Sequence, residues 1–390
     1  MKRVIFGAAN HWNSPFQVGS HAWARLFAAN EWSVFYASDP LTPWHFLSRR
    51  AREAAAARFS LWRRPSVEGG VRAWVPLSLV APNPARGLRS TWILENWQRF
   101  GFPSPSVKAA AFGYHEPDLL WLDSVRHAAW AKRLKPSRTV LRVADWIAGF
   151  GSVTGTILNL ERRLVAEADL VVASAATLGE RLADGRGGRP LAVIRNGVDL
   201  EFWREPQPEP IEYREIPSPR VVYVGAIDEW FDAELVGRLA SRLPRLSFVM
   251  IGPVRRALPP ALPNLHWLGA RARPAARGYV HHAQAGIIPF FRNELVDHVC
   301  PLKLYEYMAC GLPVAATRWA ELEAMSSPAR LVSTDEEWVD ALEISCLRAG
   351  NGARSAELAY AEANSWAGRW PEFLAASRRA ITSNSKPLNF

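Results

Sequence analysis

At 390 residues the chain is long enough for two domains, each with its own buried core. Hydrophobic residues make up 49% and charged residues 22%, the balance of a soluble globular chain, and no apolar run reaches the roughly 18–20 residues of a spanning helix. The formal charge of +10 favours an acidic partner: nucleic acid, an anionic membrane surface or a phosphorylated substrate.

Cys300, Cys310 and Cys346 make an odd count without metal-like spacing, which fits reduced thiols in a cytosolic protein. No Cys/His cluster suggests zinc. The 18 Trp are numerous, and Trp suits places where an apolar ring meets a wet edge, such as membrane interfaces and sugar sites.

In chain order, the amino-terminal MKRVIFGAAN is interrupted by Asn10 and His11, so Val4–Gly7 reads as a buried first strand and not as a signal peptide. Ser20 is expected to cap a helix whose apolar face carries Trp23, Leu26 and Phe27. Strand-like runs follow at Val34–Tyr36, Leu119–Leu122, Thr139–Ala144, Leu170–Ala173 and Leu191–Ile194, with a helical pattern at Ile157–Glu167. Buried strands alternating with helices predict a parallel α/β sheet covered on both faces.

Arg204–Arg220, rich in Pro and Glu, reads as an interdomain linker. The pattern then restarts. Strands are predicted at Val221–Val224, Leu246–Ile251, Leu265–Leu268, Ala285–Pro289 and Val314–Thr317. Helices are predicted at Glu234–Leu243 and at Asp335–Leu347, the latter behind a Thr334/Glu337 capping box. The expected organisation is an amino-terminal domain 1–203, a linker 204–220, a second α/β domain 221–365 and a helical tail 366–390.

One segment departs from the alternation. Trp44–Pro65 carries six Arg against one Glu, with Leu47, Ala51, Ala54, Ala55, Phe59 and Trp62 near one helical face. It suits either an anionic membrane surface or an ordinary surface helix packed on the sheet.

Ligands of open parallel sheets bind beyond the carboxyl ends of the strands. Asp145 directly follows a predicted strand, with Arg142 before it and a loop containing Gly149 and Gly151 after it; a carboxylate there can take a proton from a hydroxyl, or cap a turn. The loop Ala8–Ser20, with His11 and Asn13, precedes a helix N-terminus and is a candidate acceptor or phosphate contact. It is not a dinucleotide fingerprint. Gly185–Gly188 precedes a strand and reads as a turn.

The stretch HVCPLKLYEYMACGLPVAAT, residues 298–317, places Pro301 at a helix start and Lys303 and Glu306 one turn apart among apolar neighbours. A surface Lys–Glu pair contributes only a few tenths of a kcal/mol (about 0.2–0.5). In this apolar setting the pair points instead to a ligand, the lysine and helix N–H groups for a diphosphate and the glutamate for a ribose diol.

These residues carry a resemblance. VCPLKLYEYMACGLPVAAT looks like the nucleotide-sugar motif of GT-B glycosyltransferases. AEADLVVASAATLGERL, LAVIRNGVDLEFW and VVYVGAIDEWFDAELVGRLASRLPRLSFVMIGPV follow the same order, over most of residues 119–320. Within that superfamily the chain resembles the membrane-associated, inverting glucuronosyltransferase of xanthan assembly and related exopolysaccharide glycosyltransferases. The resemblance implies a GT-B α/β fold: two Rossmann-like domains facing across a cleft, with a C-terminal helix returning toward the first.

By the same resemblance, Asp145 in RVAD aligns with the catalytic base, and Leu302-Lys303 with a Met-Lys nucleotide pair. Glu306 stands where that enzyme has Gln. Ala270 replaces a Glu near the nucleobase, and Phe290 matches an aromatic at a strand end. Gly225, Arg271 and His298 complete the implied donor site, and His11 and Asn13 the acceptor side. His298 stands where retaining relatives carry the first Glu of Glu-x7-Glu, which leaves the stereochemical course open, and it suits either the donor or a loop cap. Arg255, Arg256, Arg271 and Arg273 suit a uronate or plain surface charge.

The expected co-substrate is a UDP-sugar, with no cofactor; the chain has no Asp-x-Asp sequence, so no divalent metal is expected. Expected partners are a nucleotide sugar, a glycan or polyprenyl-diphosphate-linked acceptor, and an anionic membrane surface through 44–65. The expected location is cytoplasmic, on the inner face of the plasma membrane. Nucleic acid is not expected, since no helix-turn-helix or RRM-type motif accompanies the charge. A GT-B epimerase or phosphorylase, and a catalytically silent membrane-associated subunit, are the alternatives.

Overall fold

The computed structural model describes residues 1–47, 52–81, 88, 90–151, 153–350 and 354–382. The chain divides into two compact units, Met1–Ile194 with the segment from Trp370 onward, and Arg195–Arg369.

The first unit is built on eight strands: β1 (Arg3–Ala8), β2 (Ser33–Ser38), β3 (Ser66–Glu68), β4 (Val71–Trp74), β5 (Leu119–Leu122), β6 (Arg138–Val143), β7 (Leu170–Ala173) and β8 (Leu191–Val193). Their order is β3-β4-β2-β1-β5-β6-β7-β8. All neighbours pair in parallel except β3, which closes a hairpin on β4. The central strands are apolar on both faces because helices cover both: β5 (LLWL) and β7 (LVVA) are buried at every position.

Chain order reverses at β1, which pairs with β2 on one side and β5 on the other. That reversal is the topological switch point, where open sheets of this kind hold ligands.

The helix Gly19–Ala29 covers β1 with Trp23 and Phe27, both fully buried. Val18 occupies its N-cap position, not Ser20; Ser20 is buried and hydrogen-bonds the Tyr36 hydroxyl at 3.0 Å. The last helix, Trp366–Thr382, starts in the second unit and ends in the first. There Phe373 packs edge-on to Trp23, Phe27 and Trp121 at ring-centroid distances of 5.6, 5.4 and 5.4 Å. Residues 383–390 of the expected tail lie outside the described residues.

The basic segment forms two described helices, Trp44–Leu47 and Arg52–Arg63; residues 48–51, including Ala51, lie outside the described residues. Its inward side differs from the expected stripe. Ala55 and Leu61 are buried, whereas Phe59 and Trp62 are half-buried and pack on each other at 5.1 Å.

The second unit holds β9 (Arg220–Val224), β10 (Ser247–Ile251), β11 (Leu265–Gly269), β12 (Ala285–Ile288), β13 (Val314–Thr317) and β14 (Arg330–Val332), all parallel, in the order β11-β10-β9-β12-β13-β14. Its switch point lies between β9 and β12. The expected linker Arg204–Arg220 belongs to this unit. Tyr213 and Ile216 are buried, and Arg220 threads back to the carbonyls of Tyr213 and Ile216 at 2.6 and 2.8 Å. Proline-rich composition excludes a long regular element but not a packed segment.

Candidate active site

In the second unit the helix Leu302–Ala309 begins behind Pro301, whose extended backbone (φ −77°, ψ 121°) turns the chain into it. Leu304, Tyr305, Tyr307 and Met308 are fully buried, so the helix is fixed on the sheet by four large side chains. Tyr307 also accepts the Val224 N–H at 2.8 Å, which ties the helix to the carboxyl end of β9.

This anchoring aims Lys303 across the switch point. Its ammonium lies 5.2 Å from the Tyr223 ring centroid and 5.7 Å from that of Phe290. Among the described residues it has no carboxylate within 4 Å. Burial pulls its pKa below the usual lysine value, and the charge of Glu306 opposes that shift. Gly225, with φ 156°, makes the approach possible, because a Cβ there would overlap the Lys303 side chain. Gly225→Ala is therefore expected to displace the ammonium from between the two rings and to destabilise the second unit by about 1–3 kcal/mol, read by urea unfolding.

Glu306 does not pair with Lys303. Burial raises its pKa, while the charges of Arg273 and Lys303 and the side chain of Trp203 oppose the rise. Arg273 stacks 3.7 Å over the Phe202 ring and so stands beside this carboxylate. Phe290 stacks on Trp319 at 5.9 Å and 14°.

The other expected donor residues are placed differently. Arg271 donates to Glu212, at 2.9 Å, and to the Leu268 carbonyl, at 2.6 Å. Arg255 pairs with Asp228 at 3.0 Å, and Arg256 lies over Phe291 at 4.8 Å. All four arginines considered for a uronate, Arg273 included, are thus engaged within the unit. Ala270 is exposed just beyond β11. His298 ends the short helix Glu294–Asp297 as its C-cap. Leu302 is half-buried in the first turn behind Pro301.

In the first unit Asp145 lies two residues beyond β6, partly accessible. Burial pushes its pKa up and Arg142 pulls it back. Arg142 is buried and pairs with Asp123 at 2.7 Å, and Asp123 also accepts the Trp121 indole N–H at 2.8 Å. Gly19 admits this guanidinium, since a Cβ there would overlap it. Among the described residues the Asp145 carboxylate has no hydrogen-bond partner, so it faces Arg142 only through space. A half-buried carboxylate with a raised pKa is suited to accepting a proton.

The loop after β1 is held by a buried polar ring. His21 accepts the Val18 N–H at Nδ1, 3.2 Å, and hydrogen-bonds the His11 carbonyl through Nε2, 3.1 Å. Tyr36 donates to the Asn10 carbonyl at 2.9 Å. Burial first pulls both His11 and His21 down to about 4, so both are neutral at pH 7. Asn13 is exposed at the tip of this loop.

Asp39, beyond β2, is a polar centre that pattern reading of the sequence did not find. It accepts from Arg126 at 2.6 Å and Ser124 at 2.8 Å, and His127 Nε2 lies 3.1 Å away. Among the described residues no group of three or more His, Cys, Asp or Glu is placed to hold a metal ion.

Comparison with known proteins fits these two sheets. The family described as "Glycosyl transferases group 1" matches residues 218–346, and "Glucuronosyltransferase GumK, N-terminal domain" matches residues 6–174. Sucrose-phosphate synthase from Thermosynechococcus elongatus superposes with a TM-score of 0.71 at 14% identity, covering 98% of this chain and 100% of that one. The chain has the GT-B fold and resembles GumK. HepE from Anabaena, solved with UDP and glucose, superposes on this GT-B chain with a TM-score of 0.63 at 13% identity, over 96% of this chain and 100% of that one.

A curated relative, the putative teichuronic acid biosynthesis glycosyltransferase TuaH of Bacillus subtilis (strain 168), is 26% identical over 188 residues. The match takes in 44% of this chain and 46% of TuaH, so it spans about half of that relative's length. Within the GT-B frame, the first family match contains Gly225, Phe290, Lys303 and Glu306, and the second contains His11 and Asp145.

Proposed function

We propose that the chain is a glycosyltransferase of polysaccharide biosynthesis. It moves a sugar from a nucleoside-diphosphate sugar, UDP-linked, to a hydroxyl of a glycan or polyprenyl-diphosphate-linked acceptor. Glucuronic acid is the donor sugar placed first, on the GumK likeness. The observation that carries the reading is Lys303: a cation held at a switch point between two aromatic rings, over a glycine, with no described carboxylate within 4 Å. A diphosphate supplies the missing charge, and the N-terminus of the same helix adds N–H groups and a favourable dipole.

The chemistry follows from that placement. Lys303 and the helix N–H groups bind the diphosphate and stabilise it further as it leaves, since its charge grows in the transition state. Glu306 takes the ribose hydroxyls. Asp145 removes the proton from the attacking hydroxyl, and direct displacement at the anomeric carbon inverts its configuration. In this proposal the lysine and the helix neutralise the leaving group without a divalent metal, so turnover should persist in EDTA. The basic segment 44–65, with Trp44 58% exposed, is proposed to rest on an anionic membrane surface. No described helix is long and apolar enough to cross a membrane.

The test is titration with UDP-sugars followed by product analysis. Lys303→Ala is expected to weaken UDP binding about 10–100-fold, the scale of a lost charge-assisted contact. Unchanged affinity would refute the donor site. A new glycoside from labelled donor supports transfer; an isomer or a free sugar phosphate would point to an epimerase or a phosphorylase instead.

A further inference from the structure

The switch point of the first sheet carries a charge imbalance that the proton-transfer chemistry of Asp145 does not use. Asp39 stands beyond β2, and its two oxygens are taken up by Arg126, Ser124 and His127. A second guanidinium, Arg58, reaches the same place from the helix Arg52–Arg63 and donates to the Asp39 backbone carbonyl at 2.7 Å. Two guanidinium groups therefore stand at Asp39, and only that of Arg126 pairs with its carboxylate.

Four nitrogens in this cluster are buried without a hydrogen-bond partner among the described residues: Arg58 Nε, Arg126 Nε, His11 Nδ1 and His127 Nδ1. Native proteins seldom leave such groups unmatched, and the two guanidinium Nε–H groups call for an acceptor. Burial disfavours the Arg58 cation, Asp39 opposes that and the like charge of Arg126 adds to it; burial, with the Arg58 charge behind it, disfavours protonation of His11 and His45. The cluster is reachable, with Arg126 34% exposed and Asp39 13%.

We propose that the carboxyl edge of β1, β2 and β5 binds a phosphate-class oxyanion, gripped by Arg58 and Arg126 and flanked by the imidazoles of His11 and His45. An oxyanion balances the second guanidinium and accepts from the unmatched N–H groups, and guanidinium is well shaped for that role. The inference deepens the reading of this unit as the acceptor half and rests on it for the ligand's origin: the anion is part of the acceptor. A free anion is the other source of the same chemistry.

The experiment is calorimetric titration of the full chain with inorganic pyrophosphate and, separately, with UDP. Arg58→Ala is expected to remove one pyrophosphate-binding event, weakening it about tenfold or more, while UDP affinity stays within about twofold because Lys303 lies in the other unit. Arg58→Lys, which keeps the charge, should retain part of the affinity. Lys303→Ala should show the converse: loss of UDP binding, with the Arg58-dependent event intact.

Pyrophosphate binding that is indifferent to Arg58→Ala in the Lys303→Ala background overturns the proposal. Loss of UDP binding in Lys303→Ala with no Arg58-dependent event upholds the donor reading and sinks only this one. Geranyl diphosphate binding more tightly than pyrophosphate at the Arg58-dependent site assigns the oxyanion to a prenyl acceptor, and equal affinity assigns it to a free anion.

Discussion

Asp145→Asn is expected to reduce glycosyl transfer by at least two to four orders of magnitude, the usual contribution of a positioned general base, while UDP binding is unchanged. The amide keeps the shape of the side chain but cannot take up the hydroxyl proton. The proposed donor residues Lys303, Gly225 and Phe290 belong to a different compact unit, which leaves the binding measurement independent of the substitution.

The pH dependence has a definite sign. Burial raises the Asp145 pKa above the ordinary value of 3.8 and Arg142 opposes the rise. The base is active only when ionised, so kcat/KM should climb as pH rises through that raised pKa, and the limb should vanish in the Asn variant. Arg142→Met should shift the limb to higher pH, since the opposing charge is gone. It should also destabilise the first unit by about 3–5 kcal/mol by leaving Asp123 buried and unpaired. Turnover in Asp145→Asn equal to that of the parent protein would remove the base assignment.

The fold was largely legible because its signal is local. LLWL, LVVA and VAAT are strands with the expected boundaries, since continuous apolar runs between turn signals have few other homes. The β3–β4 hairpin was not legible: Ser66–Glu68 is three residues long and mostly exposed, and its identity comes from pairing with β4. Likewise, an apolar helix with separate roles for Lys303 and Glu306 was readable at Leu302–Ala309, but the neighbours that hold the two side chains apart were not. These are Gly225, nearly 80 positions upstream in sequence, and Phe202 and Trp203, which place Arg273 beside the glutamate.

The polar clusters of the first unit show the same limit from the other side. Arg58 lies three residues from each of Ala55 and Leu61, on the buried side of its helix, and composition marked it only as one arginine among six. What makes it a candidate ligand group is the convergence of β1, β2 and β5, a long-range property. Glu161 had a local signal that was available. In the helix Gly155–Glu167 it occupies a position between Leu160 and Leu164 on the apolar stripe, where a carboxylate has no reason to be if it is charged.

That carboxyl supplies a second large stability effect, one set by pH. Glu161 is 6% exposed and, among the described residues, has neither a hydrogen bond nor an ion pair. It lines a cavity of about 430 Å³ with Trp146, Leu158, Val165 and Leu182, and Arg181 stacks 3.9 Å over the Trp146 ring at the same place. Burial alone raises its pKa from 4.5 to about 7. Between those values the folded chain binds a proton that the unfolded chain releases. The group's contribution is therefore fully present below about pH 4.5 and is lost as pH rises through about 7.

At about 1.4 kcal/mol for each pH unit, the loss approaches about 3 kcal/mol above pH 8. His11 and His21 act with the opposite sign, because their folded pKa values near 4 make the unfolded state the better proton acceptor up to about 6.5. The parent curve alone therefore mixes both trends, and the informative quantity is the difference from Glu161→Gln. In urea unfolding at pH 5, 7 and 9, the variant should gain about 2 kcal/mol on the parent between pH 5 and 7 and less than about 1 kcal/mol more by pH 9, because the amide never ionises. Parallel curves would mean that Glu161 stays neutral throughout or finds a cation when it ionises. Arg162 and Arg181 line the same cavity, and a control that replaces both by Ala would then restore the slope.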